Sequence, residues 1–116
     1  MGVGFVFFTN VKEIDAGDLA AWMEDKGRDF RIIDVREPME IAQGSIPGAE
    51  PMPMSTLGNR IAEIGREKEV VFICRSGARS GQVCAYLAQN GYENVYNLRG
   101  GVIGWAQSGF GFAKVS

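Results

Sequence analysis

Short β-branched runs alternate with segments of helical periodicity along this chain, and that alternation leaves few folds open. Residues 30–35 (FRIIDV) and 70–73 (VVFI) are apolar runs of the kind that form strands buried on both faces. Residues 11–14 and 95–97 are two shorter candidates. Between them, Asp15 stands where an N-cap belongs, with Asp18 three residues on, ahead of the periodic apolar set Leu19, Trp22 and Met23. Gly27 is the expected stop of that helix. Residues 37–42 predict a short helix with Pro38 in its first turn. Ser55 is the expected cap of a further helix running through Ile61 and Ile64 to Gly65. Residues 78–89 predict a helix stopped by Asn90 and Gly91, and residues 101–107 a last short one. Residues 44–53 (GSIPGAEPMP) hold three of the four prolines and read as an irregular loop. Strands separated by helical connections of this length predict an α/β fold whose central, mainly parallel sheet is covered on both faces.

Length and composition narrow the function classes. The 116 residues suit one domain, with its core over about residues 11–109. A hydrophobic fraction of 46% against 22% charged residues describes a chain able to bury a core. The net charge of −2 gives no basis for binding nucleic acid. Residues 1–8 (MGVGFVFF) are apolar but lack the basic start and cleavage site of a signal peptide. No apolar run approaches the roughly 20 residues of a membrane span. A cytoplasmic protein with no membrane association is the expectation. Histidine is absent and cysteine occurs twice, so imidazole-assisted catalysis is ruled out within the chain and a four-ligand zinc site is a poor fit. Neither a metal nor another cofactor is expected.

The chemistry concentrates at residues 70–80 (VVFICRSGARS). A buried strand delivers Cys74 to its C-terminal end, where open α/β sheets place their sites. Arg75, Ser76, Gly77, Ala78 and Arg79 then form a tight loop that opens into a helix. Successive backbone N–H groups in such a turn make an anion-binding nest, and Gly77 supplies freedom where a side chain would obstruct. A free thiol ionises at about pH 8.5, so little of it is thiolate at neutrality. Oriented amides, a helix N-terminus and two guanidinium groups can together supply the roughly 2.7 kcal/mol that lowers ionisation by two pH units. That route needs no general base, in keeping with the missing histidine. Cys84 lies about 9 Å further along the same helix at the usual rise per residue, beyond the reach of a disulfide with a cysteine at its start. With Val83, Ala85 and Leu87 beside it, Cys84 reads as core.

Four segments in order carry a resemblance to a known family. Residues 74–80 (CRSGARS) resemble the active-site loop of single-domain rhodaneses, the sulfurtransferase family. Residues 34–37 (DVRE), 44–49 (GSIPGA) and 98–105 (LRGGVIGW) resemble three further signatures of that family. The resemblance implies a rhodanese-like three-layer fold with about five strands. It implies that Cys74 becomes a persulfide, with residues Arg75, Ser76, Gly77, Ala78, Arg79 and Ser80 around the substrate. Arg75 and Arg79 occupy positions that favour a small anionic donor such as thiosulfate. Asp34 and Arg36 match a structural ion pair near the site. The sulfur acceptor would be a thiol, cyanide or a protein. Cys74 to Arg79 reads C-x4-R, one residue shorter than the C-x5-R of cysteine phosphatases, which favours sulfur over phosphate. Two rival functions remain: a non-catalytic rhodanese-like binding module, and a small cysteine phosphatase or arsenate reductase. One departure stands out: Ser45 occupies the place of the family's usual histidine, which predicts altered loop packing or pH response.

Overall fold

The computed structural model describes residues 11–115. The apolar segment of residues 1–8 lies outside the described residues. Eleven elements follow in chain order, all but one of them strands or α-helices. Strand β1 (Lys12–Ile14) leads into helix α1 (Ala16–Glu24), then β2 (Phe30–Asp34), α2 (Pro38–Ala42), β3 (Ala49–Pro51) and α3 (Met54–Arg60). A single 3-10 turn (Ile61–Glu63) prolongs α3 before β4 (Glu69–Ile73), α4 (Ala78–Gln89), β5 (Val95–Leu98) and α5 (Gly101–Gln107). The five strands form one sheet in the order β1-β5-β4-β2-β3, with every pairing parallel.

Alternation along the central strand sorts the core into two layers. Val70 and Phe72 of β4 point to the side of Leu57 on α3 and of Val83, Cys84 and Leu87 on α4. Val71 and Ile73 point the other way, to Leu19 of α1 and to Val102 and Trp105 of α5. With a period of two, both faces of β4 are apolar because both are covered, which is why residues 70–73 read as an unbroken apolar run. Cys74 continues the Val70 and Phe72 side, just past the end of the strand.

Three local expectations change. Residues 44–53 contain β3, which pairs with β2 through Ala49 and Ile32 and through Pro51 and Asp34. This strand lies at the sheet edge, where a proline's missing N–H removes no ladder bond, so a proline-rich stretch can still pair on one side. Helix α1 ends at Glu24, before Gly27, because the Asp25 carboxylate accepts from the Gly27 amide at 3.1 Å and turns the chain early. Helix α3 is capped at Pro53, not Ser55, since the Pro53 carbonyl accepts from both the amide and the hydroxyl of Thr56 at 2.8 Å. The capping of α1 follows its sequence signal: Asp15 accepts from the Asp18 amide at 2.8 Å and Asp18 accepts from the Asp15 amide at 3.0 Å.

Candidate active site

Cys74 stands between the end of β4 and the start of α4, at the C-terminal edge of the sheet. It is 1% exposed. Its sulfur accepts from the Gly77 amide at 3.1 Å and the Ser80 amide at 3.3 Å, and the Ser80 hydroxyl stands 3.3 Å away, able to turn its hydrogen to a negative sulfur. Burial pushes the thiol up, but the Ser80 hydroxyl and the amides of Ser80, Gly77 and Ser76 outweigh it, and the net pKa falls below the ordinary value. The cradle is therefore built for a negative sulfur.

Two glycines make that geometry possible. Gly77 has φ of 100°, and a Cβ there would stand 3.1 Å from the Leu98 carbonyl oxygen and 3.3 Å from the Gly100 amide nitrogen. Gly101 has φ of 60°, and a Cβ there would stand 2.5 Å from the Cys74 carbonyl oxygen. The absence of a side chain lets the start of α5 reach the loop, where Val102 N–H donates to the Cys74 carbonyl at 2.9 Å and Ile103 N–H to the Arg75 carbonyl at 3.1 Å. The two peptide planes that follow Cys74 are thus held from α5, while amides at the start of α4 hold its sulfur.

The remaining loop residues take different positions. Arg75, Ser76 and Ala78 are exposed, whereas Ser80 is fully buried. Arg75 borders a cavity of about 290 Å³ lined also by Arg36, Glu40, Gln43, Ile103 and Phe112; Cys74 does not line it. Arg79 is held by Glu40, its two terminal nitrogens donating to the two carboxylate oxygens at 2.9 and 3.0 Å. The Arg79 guanidinium, aided by the Glu37 amide, pulls the Glu40 carboxyl from the ordinary 4.5 to about 2. Arg79 therefore carries its own counter-ion, and the only formal charge it adds to the site is shared with Glu40.

Asp34 is fully buried at the end of β2. It accepts from the Arg36 guanidinium at 2.8 to 3.1 Å, from the Arg36 amide at 3.0 Å and from the Ser45 hydroxyl at 2.6 Å. Arg36 also donates to the Gly44 carbonyl at 2.9 Å, which fastens the loop before β3 to the site. Ser45 is fully buried, and its backbone pairs with Ala113 in both directions at 2.9 and 2.8 Å. That pairing lays the C-terminal segment across the α2 side of the site. There Phe110 packs on Trp105, and Phe112, 47% exposed, borders the cavity.

Two site residues, Glu40 and Asn97, had no motif of their own, and a third, Gly101, lay within the signature of residues 98–105. Glu40 is the third residue of a capping box begun by Glu37, a local signal that says nothing of Arg79. Asn97 interrupts an apolar strand and is buried at 3% exposure, which is the pattern of a polar group with a specific partner. Gly101 marks the turn into the last helix, but the contact it permits belongs to a loop 26 residues earlier. Cys84 is fully buried, and desolvation pushes its thiol well above the ordinary value. Among the described residues there is no cluster of three or more His, Cys, Asp or Glu side chains placed to hold a metal ion, and no helix long and apolar enough to cross a membrane.

Comparison with known proteins agrees with this geometry. The rhodanese-like domain family matches residues 15–108. A protein of Allochromatium vinosum named sulfurtransferase is 50% identical over 85% of this chain and 92% of its own length. The putative sulfurtransferase YtwF of Bacillus subtilis is 40% identical over 82% of this chain and 90% of its own. Among solved structures, the rhodanese-like domain protein of Staphylococcus aureus superposes with a TM-score of 0.81 at 30% identity, covering 91% of this chain and all of the other. Matched along nearly all of its described length in sequence and in fold, the chain belongs to the rhodanese-like domain family.

Proposed function

We propose that the protein is a cytoplasmic sulfurtransferase in which Cys74 carries sulfur as a persulfide. The observation behind this reading is the convergence of the Gly77 amide, the Ser80 amide and the Ser80 hydroxyl on one sulfur at the end of a buried strand. The two relatives described above are named sulfurtransferase and putative sulfurtransferase, which supports the same class of reaction.

In the first step the Cys74 thiolate attacks the outer sulfur of an anionic donor. With thiosulfate, an S–S bond forms to Cys74, the donor's own S–S bond breaks, and sulfite leaves with the electron pair. The negative charge then rests on the outer sulfur of the persulfide, within reach of the same amides. In the second step a thiolate, cyanide or the cysteine of a protein acceptor attacks that outer sulfur and the Cys74 thiolate departs. Since Cys74 is 1% exposed, entry of the donor requires the loop to open, and the exposed Arg75 next to it in the chain brings a cation to the donor's path. The missing histidine costs nothing here, because neither step needs a proton removed by a side chain.

Intact-mass measurement after incubation with thiosulfate tests the reading. One added sulfur atom on the parent chain and none on Cys74→Ser is the expected result. A parent chain that stays unmodified while its Cys74 reacts readily with an alkylating agent would point instead to a binding module.

A further inference from the structure

Asn97 lies on β5, is 3% exposed, and spends its whole amide on three partners. Its Nδ2 donates to a Glu13 carboxylate oxygen at 2.9 Å and to the Gly77 carbonyl at 3.1 Å. Its Oδ1 accepts from the Ser80 hydroxyl at 2.5 Å. Turning the amide over would set Oδ1 against a carboxylate and a carbonyl, both acceptors, so only one orientation is allowed. Oδ1 faces Ser80.

A serine hydroxyl has one hydrogen. While Ser80 gives it to Asn97, it presents a lone pair to the Cys74 sulfur 3.3 Å away. That lone pair suits an S–H donor and opposes a thiolate. To donate to a thiolate, the hydroxyl must turn off Asn97 and leave a buried carbonyl oxygen without its partner. We infer that Asn97 is a positioning residue that competes with Cys74 for the single Ser80 hydrogen, so that the hydroxyl turns to sulfur only when negative charge sits on Sγ.

This rests on the reading of Cys74 as sulfur carrier and extends it. In the thiolate the charge is on Sγ and the competition works against it. In the persulfide the charge has moved to the outer sulfur, and Ser80 can return to Asn97. The Ser80–Asn97 bond therefore disfavours the empty, ionised enzyme relative to the loaded one. Gly77, whose amide faces the sulfur, is tied through its carbonyl to the same Asn97, so the amide cradle and the hydroxyl are held by one side chain.

The test is the pH dependence of Cys74 ionisation in the full chain, read by ultraviolet thiolate absorbance and by the rate of alkylation with iodoacetamide. Cys84, buried and with its thiol pushed up, is silent on the acid limb. The other charged groups packed around the site are left unsubstituted in every variant: Arg75, Arg79 with Glu40, Glu37, the Asp34–Arg36 pair, and Glu13 with Arg99. Asn97→Ala removes the competitor, so alkylation on the acid limb becomes about two- to tenfold faster, the size of one neutral hydrogen bond. Ser80→Ala shifts the limb the opposite way. In a Ser80→Ala background Asn97→Ala brings no acceleration, because no hydroxyl is left to release, which a merely structural role for Asn97 does not predict. If alanine does not fold, Asn97→Leu keeps the volume without the acceptor and carries the same expectation. Slower alkylation in either Asn97 variant, or an equal change with and without the Ser80 hydroxyl, overturns the inference. Sulfur loading by mass is read separately, so a parent chain that never loads counts against the carrier and leaves the ionisation result standing.

Discussion

Replacing Gly101 by alanine measures how tightly the start of α5 grips the active loop. At φ of 60° an L side chain adopts the left-handed region at a cost of about 1–2 kcal/mol. The new Cβ would also stand 2.5 Å from the Cys74 carbonyl oxygen, and its neighbours there are backbone atoms of residues 74 and 75, which cannot rotate away. Relief requires α5 and the loop to part, which weakens the bonds from Val102 N–H and Ile103 N–H to the Cys74 and Arg75 carbonyls. At about 0.5–1.5 kcal/mol for each bond, the whole loss comes to about 2–5 kcal/mol. Gly48→Ala is the control, because Gly48 has φ of 86° with nothing within 4 Å of a Cβ, and only the conformational cost applies. Urea denaturation of the two variants, with Cys74 alkylation measured on the folded proteins, separates steric from conformational effects. The expected result is a loss for Gly101→Ala at least about twice that of Gly48→Ala, with a changed Cys74 reactivity in Gly101→Ala alone. Equal losses in the two variants would refute the argument that close approach, not backbone freedom, dictates glycine at 101.

Three further outcomes follow from the same site. Glu40 has its folded-state pKa lowered to about 2 from the ordinary 4.5, so its pairing with Arg79 stabilises the fold above that range and the contribution is lost as pH falls through about 2. Glu40→Gln should accordingly be less stable than the parent at neutral pH, with urea midpoints that converge on acidification; a gap that persists unchanged at the acid end would contradict this. Asp34→Asn leaves the buried Arg36 guanidinium without its counter-ion and should cost about 3–5 kcal/mol by urea or thermal unfolding. Cys84→Ala should lose about 0.5–1.5 kcal/mol through a small core void while still taking up one sulfur from thiosulfate by intact mass; failure to load would give Cys84 a part in the chemistry.

The sheet and the helices were legible in the chain because their causes are local and periodic. Residues 78–89 carry a helical pattern with an asparagine–glycine stop and residues 101–107 a shorter helical pattern, and the helices α4 and α5 begin and end there. The unbroken apolar run at residues 70–73 could only be a strand covered on both sides, and its neighbours on both faces are core. Edge strand β3 escaped for the opposite reason: prolines argue against pairing, and only the position of the strand, with one side open, makes them harmless. The ends of α1 and α3 turned on single hydrogen bonds to Asp25 and to the Pro53 carbonyl, which composition does not rank above Gly27 or Ser55.

At the site, what the chain alone determined was the proposed nucleophile and its frame: a cysteine at the end of a buried strand, a glycine two residues before an arginine, and a helix to follow. Spacing suffices there because amides adjacent in sequence are adjacent in space. Tertiary structure decided everything that depends on residues far apart meeting. It gave Arg79 a counter-ion in Glu40, 39 positions away. It buried Ser45 against Asp34 and pinned the C-terminal segment beside it. It also brought Asn97 to the Ser80 hydroxyl that touches the Cys74 sulfur. Parallel pairing sets β5 beside β4, and no periodicity in either strand could announce which polar atom of the one would face the loop that ends the other.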